Sequence, residues 1–215
     1  GCPIEMLLCA SNENRVLTDF INTGTYDISH RDFVLTPSPS MDILVSSNLE
    51  RQLFELTDRD PVAISGWMAD LNGQRRFRVD ERTFSRLREA YRGDSVSNAD
   101  CLAAIKEVYE HHDYLIDPHT AVAAGALRKY RQASGDGRVT VVASTASPYK
   151  FAPAVCEALG IGQDGDAYAC IDALKNETGL PVPPQLAGLQ GLPDRFTKVI
   201  EREEIADAVR AFMSE

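Results

Sequence analysis

At 215 residues the chain can bury one sizeable core, and a composition 44% hydrophobic and 25% charged argues against wholesale disorder. The formal charge of −10 argues against nucleic acid as the main partner, because phosphate recognition needs clustered cations. No apolar run approaches the ~18 residues of a membrane span, so no membrane partner is expected.

The five cysteines are odd in number, irregularly spaced and without a C-x-x-C pair, which argues against a disulfide framework or structural zinc. That usage fits a reducing cytosol, so a cytoplasmic location is expected. Of the four histidines, His111 and His112 are adjacent. On a helix they point about 100° apart and cannot chelate as an i,i+4 pair does, so no metal site is expected. G-x-S-x-G, G-x-G-x-x-G and Walker A patterns are absent.

In chain order, residues 4–9 (I-E-M-L-L-C) read as a buried strand. A polar stretch rich in capping residues follows. Val16, Leu17, Phe20 and Ile21 then recur at helical spacing up to Gly24, a natural stop. Residues 33–35 (F-V-L) are a second strand candidate. In 36–56, Pro37 and Pro39 keep residues 36 and 38 out of helix. Ser40 is positioned as an N-cap, with Asp42 in the first turn of a helix running to Leu56.

From 60 to 114 the pattern is helical without evident strands. Asp60-Pro61 is a cap with an N1 proline and Gly73 the matching stop. Further helices are expected over 79–91 and 98–111, the latter burying Leu102, Ile105, Val108 and Tyr109. Trp67, the single tryptophan, reads as core. Asp117-Pro118 starts an alanine-rich helix, and Gly135-Asp136-Gly137 turns the chain into V-T-V-V (139–142). This β-branched run reads as a buried parallel strand. It ends in Ser144, Thr145 and Ser147 before Pro148 opens a helix to Leu159. Loops at the carboxyl ends of such strands hold the ligands of open α/β sheets, and the same hydroxyls also suit plain helix capping. A helix over 167–175, irregular proline-rich chain over 181–193, an edge strand over 196–200 and an amphipathic helix over 203–213 complete the chain.

The expected fold is thus α/β: a partial, open, mainly parallel sheet flanked by helices, with an α-helical insertion. Three segments are expected: sheet-forming residues 1–56, a helical insertion over 57–114, and 115–215 completing the sheet domain with a C-terminal helix.

Four strings carry more than periodicity. L-L-C-A-S-N-E-N-R-V-L-T-D-F-I-N-T-G-T-Y (7–26), T-P-S-P-S-M-D-I-L-V-S-S-N-L-E-R (36–51), Y-L-I-D-P-H-T-A-V-A (114–123) and S-T-A-S-P-Y-K-F (144–151) closely resemble bacterial threonine synthase, in that family's order and spacing. The resemblance implies a pyridoxal 5'-phosphate enzyme of the tryptophan-synthase-like fold (fold type II). Its substrate would be O-phospho-L-homoserine, turned with water into L-threonine and phosphate by β,γ-elimination and hydration.

In the family, a lysine holds the cofactor covalently and a Gly/Ser/Asn-rich loop cradles its phosphate. Both lie upstream of the region matched here. Residues 1–215 therefore look like the C-terminal portion of such an enzyme. They are expected to lack the cofactor and turnover by themselves, and to self-associate through the sheet surface left open. The family threonine expected against the cofactor's pyridine nitrogen matches Thr145, with Ser144 as the alternative one residue away. Asp117 resembles an acid that related enzymes place beside the ring, and it suits a helix cap equally well. Asn12, Asn14, Ser38, Ser40, Asp42 and Lys150 fall in loops expected on the substrate side. Ser147 departs from the family's usual histidine, which puts a donor role there in doubt. Two other readings remain open: a free-standing, non-catalytic ligand- or partner-binding domain, or another phosphate-eliminating lyase on this scaffold.

Overall fold

A computed structural model describes residues 3–162, 166–193, 195 and 197–214. Strand β1 (Leu7–Ser11) pairs in parallel with β4 (Tyr91–Ser95), Leu7 opposite Tyr91 and Ser11 opposite Ser95. The expected strand at 4–9 thus begins later and runs to Ser11. Between its two strands the chain makes helices α1 (Val16–Thr23), α2 (Ser47–Leu56), α3 (Pro61–Gln74) and α4 (Glu81–Ala90). It also makes a small antiparallel pair, β2 (Thr25–Asp27) with β3 (Arg76–Arg78). The stretch expected to be purely helical therefore contains β3 and β4. Short, charged strands such as R-F-R and Y-R-G-D-S carry no apolar run to betray them, and only pairing with a distant partner makes them strands.

Helix α1 lies directly on β4. A side chain on Gly93 would stand 3.0 Å from the Thr18 Cα, and Thr18 Oγ1 donates to the Asp94 carbonyl at 2.7 Å. Helix α5 (Asn98–His112) leads to α6 (Pro118–Ser134), which also packs on this strand pair. Gly125 lets α6 approach Val96, where an added Cβ would meet a methyl at 3.2 Å. Of the expected inner face of α5, Ile105 is buried while Leu102, Val108 and Tyr109 are half-buried. Cys101 and Ala104 complete the face. The aromatic centre of the core is Tyr26 stacked on Phe77 at 5.3 Å, with Phe20 tilted against both. Trp67, half-buried, also stacks on Phe77, centroids 6.2 Å apart.

Four local expectations fail for identifiable reasons. Ser40 caps no helix. Only a single 3-10 turn forms at Pro39–Met41, and α2 starts at Ser47. Tyr26 intervenes, its hydroxyl donating to the Leu44 carbonyl (2.7 Å) and accepting from the Ser46 N–H (2.9 Å). Those backbone groups are unavailable to a continuous helix. Helix α3 runs past Gly73 to Gln74, and Arg75 takes the left-handed position (φ 58°) instead. Residues 33–35 form no strand, and Phe33 and Leu35 are exposed.

Most consequential is the run 139–142, which pairs with no strand among the described residues, with Val139 97% and Val141 92% exposed. A strand exists only when neighbours satisfy its N–H and C=O groups, and none among the described residues does so here. Its anchors lie at its start. The Arg138 guanidinium pairs with Glu5 (2.5 Å), and Arg131 donates to the Arg138 carbonyl (3.0 Å).

Beyond it a 3-10 turn at Pro148–Phe151 leads into α7 (Ala152–Leu159) and α8 (Ala167–Thr178). Val155 and Cys156 of α7 face inward, and Phe151 and Leu159 are half-buried. These elements belong to one compact unit, residues 1–182. Residues 183–215 form a second, with the short helix α9 (Pro184–Ala187) and α10 (Ile205–Phe212). Phe196 lies outside the described residues, and 197–200 are not a strand. Among the described residues no helix is long and apolar enough to cross a membrane.

Candidate functional site

Two polar clusters meet at the start of α6. The first joins the loop after β1 to the loop 36–42. Asn12 and Asn14 are each only 2% exposed and Ser38 1%. The Asn12 amide nitrogen donates to Asp42 Oδ1 (2.7 Å), Thr36 Oγ1 (2.8 Å) and Ser38 Oγ (3.1 Å). The Asn14 amide nitrogen donates to Asp42 Oδ1 (3.2 Å) and to the Val34 carbonyl (2.9 Å). Thr36 adds its N–H to Asp42 Oδ2 (3.0 Å) and its hydroxyl to Oδ1 (2.6 Å). Asp42 is therefore not a helix-dipole complement but the common acceptor of four donors. A carboxylate with both oxygens engaged in this way fixes the loop's shape without closing it over.

The second cluster is built on Asp117. As expected it caps α6, accepting from the His119 N–H at 2.9 Å, and it is fully buried. Its Oδ1 also meets His119 Nδ1 at 2.8 Å, and Oδ2 accepts from the Thr120 hydroxyl. Thr120 Oγ1 in turn reaches Ser144 Oγ at 3.0 Å, tying the end of the run 139–144 to this helix start. The His119 ring rests on Phe151, centroids 4.6 Å apart, and its Nε2 accepts the Ser40 N–H at 3.2 Å. Beneath the helix start, the Cys101 thiol donates to the Pro118 carbonyl at 3.3 Å. Burial, and secondarily the Asp117 charge, push that thiol up to about 12, so it remains a protonated donor.

Asn12, Asn14, Ser38 and Asp42 thus come together in one network, Ser40 joins it to Asp117 through His119, and Ser144 joins through Thr120. Thr145 lies at the rim. It is exposed, and its hydroxyl has no hydrogen-bond partner among the described residues. Ser40 is likewise exposed, and its hydroxyl has no hydrogen-bond partner among the described residues. Lys150, also exposed, makes no ion pair among the described residues; its ammonium lies 5.9 Å from the Phe151 ring centroid. Ser147 accepts the Tyr149 N–H (3.3 Å), a capping role.

Reasoning from sequence missed Thr36, His119 and Thr120. The last two stand in the D-P-H-T string already marked by its cap, where polar residues at the first helical positions were the available signal. Among the described residues no cluster of His, Cys, Asp and Glu could hold a metal ion.

The arrangement has clear relatives. Residues 120–213 match a family model described as "Threonine synthase, C-terminal". Threonine synthase of Eremothecium gossypii is 39% identical over 229 residues, covering 100% of this chain and 42% of that protein. Human threonine synthase-like 1 is 40% identical over 161 residues, 75% of this chain and 21% of its own length. Among solved structures, yeast threonine synthase superposes with a TM-score of 0.81 at 30% identity, covering 100% of this chain and 43% of that one. The pyridoxal-phosphate-bound threonine synthase of Brucella melitensis does so with a TM-score of 0.66 at 33% identity, covering 80% of this chain and 36% of that one. The chain spans less than half the length of each of these relatives. In sequence and in fold, the chain is similar to the C-terminal portion of threonine synthases.

Proposed function

We propose that these residues form the wall facing cofactor ring and substrate in a pyridoxal-phosphate-dependent threonine synthase, which converts O-phospho-L-homoserine and water to L-threonine and phosphate. The observation that carries this reading is the convergence on the start of α6. Loop 36–42 arrives through the Ser40 N–H on His119 (3.2 Å), and the end of 139–144 through Ser144 on Thr120 (3.0 Å).

Around that junction the side chains divide into two sets. Asn12, Asn14, Thr36, Asp42, Asp117 and Thr120 are consumed by one another, so they hold shape. Ser40, Thr145 and Lys150 leave their polar ends available to a ligand. When bound, the cofactor supplies an electron sink for the carbanionic centres of an amino-acid substrate. The partnerless Thr145 hydroxyl suits its ring nitrogen, because it donates a hydrogen bond without favouring a protonated ring as a carboxylate does. Lys150, as a mobile point charge, suits an anionic group of the substrate. Loop 36–42, stiffened through Asp42, presents the Ser40 hydroxyl at a fixed place and so lowers the cost of ordering the site.

The lysine that binds the cofactor and the loop that cradles its phosphate are not in the family's pattern over residues 1–215, so these residues alone should not turn over. The test compares residues 1–215 with the same residues joined to the lysine-bearing part of a threonine synthase. Phosphate release from O-phospho-L-homoserine is measured with pyridoxal phosphate present. Only the joined protein should react, and Thr145→Ala in it should lower kcat at least about tenfold, ~1.4 kcal/mol. Turnover by residues 1–215 alone, or an unchanged kcat in T145A, would overturn the proposal. Sedimentation of residues 1–215 above monomer mass is expected as well, from the exposed Val139 and Val141.

A further inference from the structure

His119 links two parts of the site in a geometry that only one tautomer allows. Its side chain is 14% exposed, held between the fully buried Asp117 carboxylate and the Ser40 backbone. An amide N–H can only donate, so Nε2, 3.2 Å from the Ser40 nitrogen, must present its lone pair. The ring proton then sits on Nδ1 and is donated to Asp117 Oδ1 at 2.8 Å. The Phe151 ring lies against the imidazole, centroids 4.6 Å apart and planes tilted by 57°.

We infer that His119 is a positioning residue: Asp117 sets its tautomer and orientation, and its Nε2 holds loop 36–42 against the start of α6 so that Ser40 meets the substrate. This rests on the reading of that loop as substrate-facing. Asp42 fixes the loop internally and to Asn12, but the Ser40 N–H is the point at which the loop is tied to α6. Among the described residues no other protein group accepts that N–H, and in the exposed loop the alternative partner is solvent.

Two substitutions separate the two bonds of the ring. In His119→Asn the shorter amide keeps a donor near the Nδ1 position for Asp117 and leaves the Ser40 N–H without an acceptor. In His119→Gln the longer side chain places a carbonyl oxygen near the Nε2 position and keeps an acceptor for Ser40. The first readout is hydrogen exchange of the Ser40 amide in residues 1–215, without cofactor, with circular dichroism confirming that each variant is folded. Exchange should accelerate about tenfold in H119N (~1.4 kcal/mol) and stay near the parent rate in H119Q.

The second readout is KM and kcat for O-phospho-L-homoserine in the joined synthase. KM should rise about tenfold in H119N with kcat within about twofold, and H119Q should restore KM. Unchanged Ser40 exchange in H119N overturns the inference whatever the kinetics show. Faster exchange with unchanged KM overturns the positioning role and removes the loop from the substrate side. If the unsubstituted joined protein releases no phosphate, the reading of function fails by itself, and the exchange comparison still decides whether His119 holds the loop.

Discussion

Replacing Asp42 with alanine measures how much of the site's shape rests on one carboxylate. Had Asp42 stood in the first turn of a helix, as its spacing after Ser40 implies, its loss would cost only ~0.3–1 kcal/mol of dipole interaction. The structure assigns it four incoming bonds instead: Asn12 Nδ2 at 2.7 Å, Asn14 Nδ2 at 3.2 Å, Thr36 N at 3.0 Å and Thr36 Oγ1 at 2.6 Å. Not all these donors would be stranded. Asn12 keeps Ser38 Oγ at 3.1 Å, Asn14 keeps the Val34 carbonyl at 2.9 Å, and the Thr36 hydroxyl can turn to Ser38 at 3.1 Å.

The Thr36 N–H has no substitute, and a stranded donor costs ~1–3 kcal/mol. Adding the weakened charge-assisted bonds brings the expected loss to ~2–4 kcal/mol. In urea unfolding followed by circular dichroism, a slope of ~2 kcal/mol per M turns this into a midpoint lower by ~1–2 M. Asn12→Ala combined with Asp42→Ala in a double-mutant cycle should show a coupling of ~1 kcal/mol or more. A D42A midpoint within ~0.3 M of the parent would return Asp42 to the dipole role and refute the hub.

Two further outcomes test the packing. Gly93→Ala would place a Cβ 3.0 Å from the Thr18 Cα and 3.1 Å from its carbonyl oxygen, both backbone atoms of α1 that cannot swing aside. It should destabilise by ~1–3 kcal/mol, read from thermal melting; a melting temperature within a degree of the parent would show that α1 is not held against β4 as described. The Cys101 and Cys156 thiols are pushed up by burial to about 12 and about 11, the Asp117 charge adding to the first and Cys170 to the second. Neither should react with a thiol reagent at pH 8 in the folded chain, and both should react after unfolding in guanidinium. Mass-mapped labelling of either under native conditions would refute their burial.

Several local determinants were legible in the sequence. The cap Asp60 with Pro61 and the cap Asp117 with Pro118 both open helices, since a carboxylate accepting the next N–H groups acts over two or three residues. Gly24 and Gly135 close helices in the left-handed conformation that glycine adopts without a Cβ penalty. The strings shared with the family marked most of the candidate site residues, because a spacing of polar side chains is itself a linear property.

What the tertiary structure decided was everything requiring a distant partner. The run 139–142 has the composition of a buried strand yet lies exposed, since composition cannot supply the neighbour that a strand must pair with. Tyr91–Ser95 has little apolar character and is a strand because Leu7–Ser11 lies beside it. Helix α2 starts at Ser47 rather than beyond Ser40 because Tyr26, twenty residues from Ser46, takes up the loop's backbone groups. His119 stood in a string the sequence had marked, but its role became visible only when folding set its two ring nitrogens between Asp117 and Ser40. Caps such as Asp60, Asp117 and Gly24 are written in neighbouring residues; strands, hubs, ring tautomers and the start of α2 are set by groups that only the folded chain brings within reach.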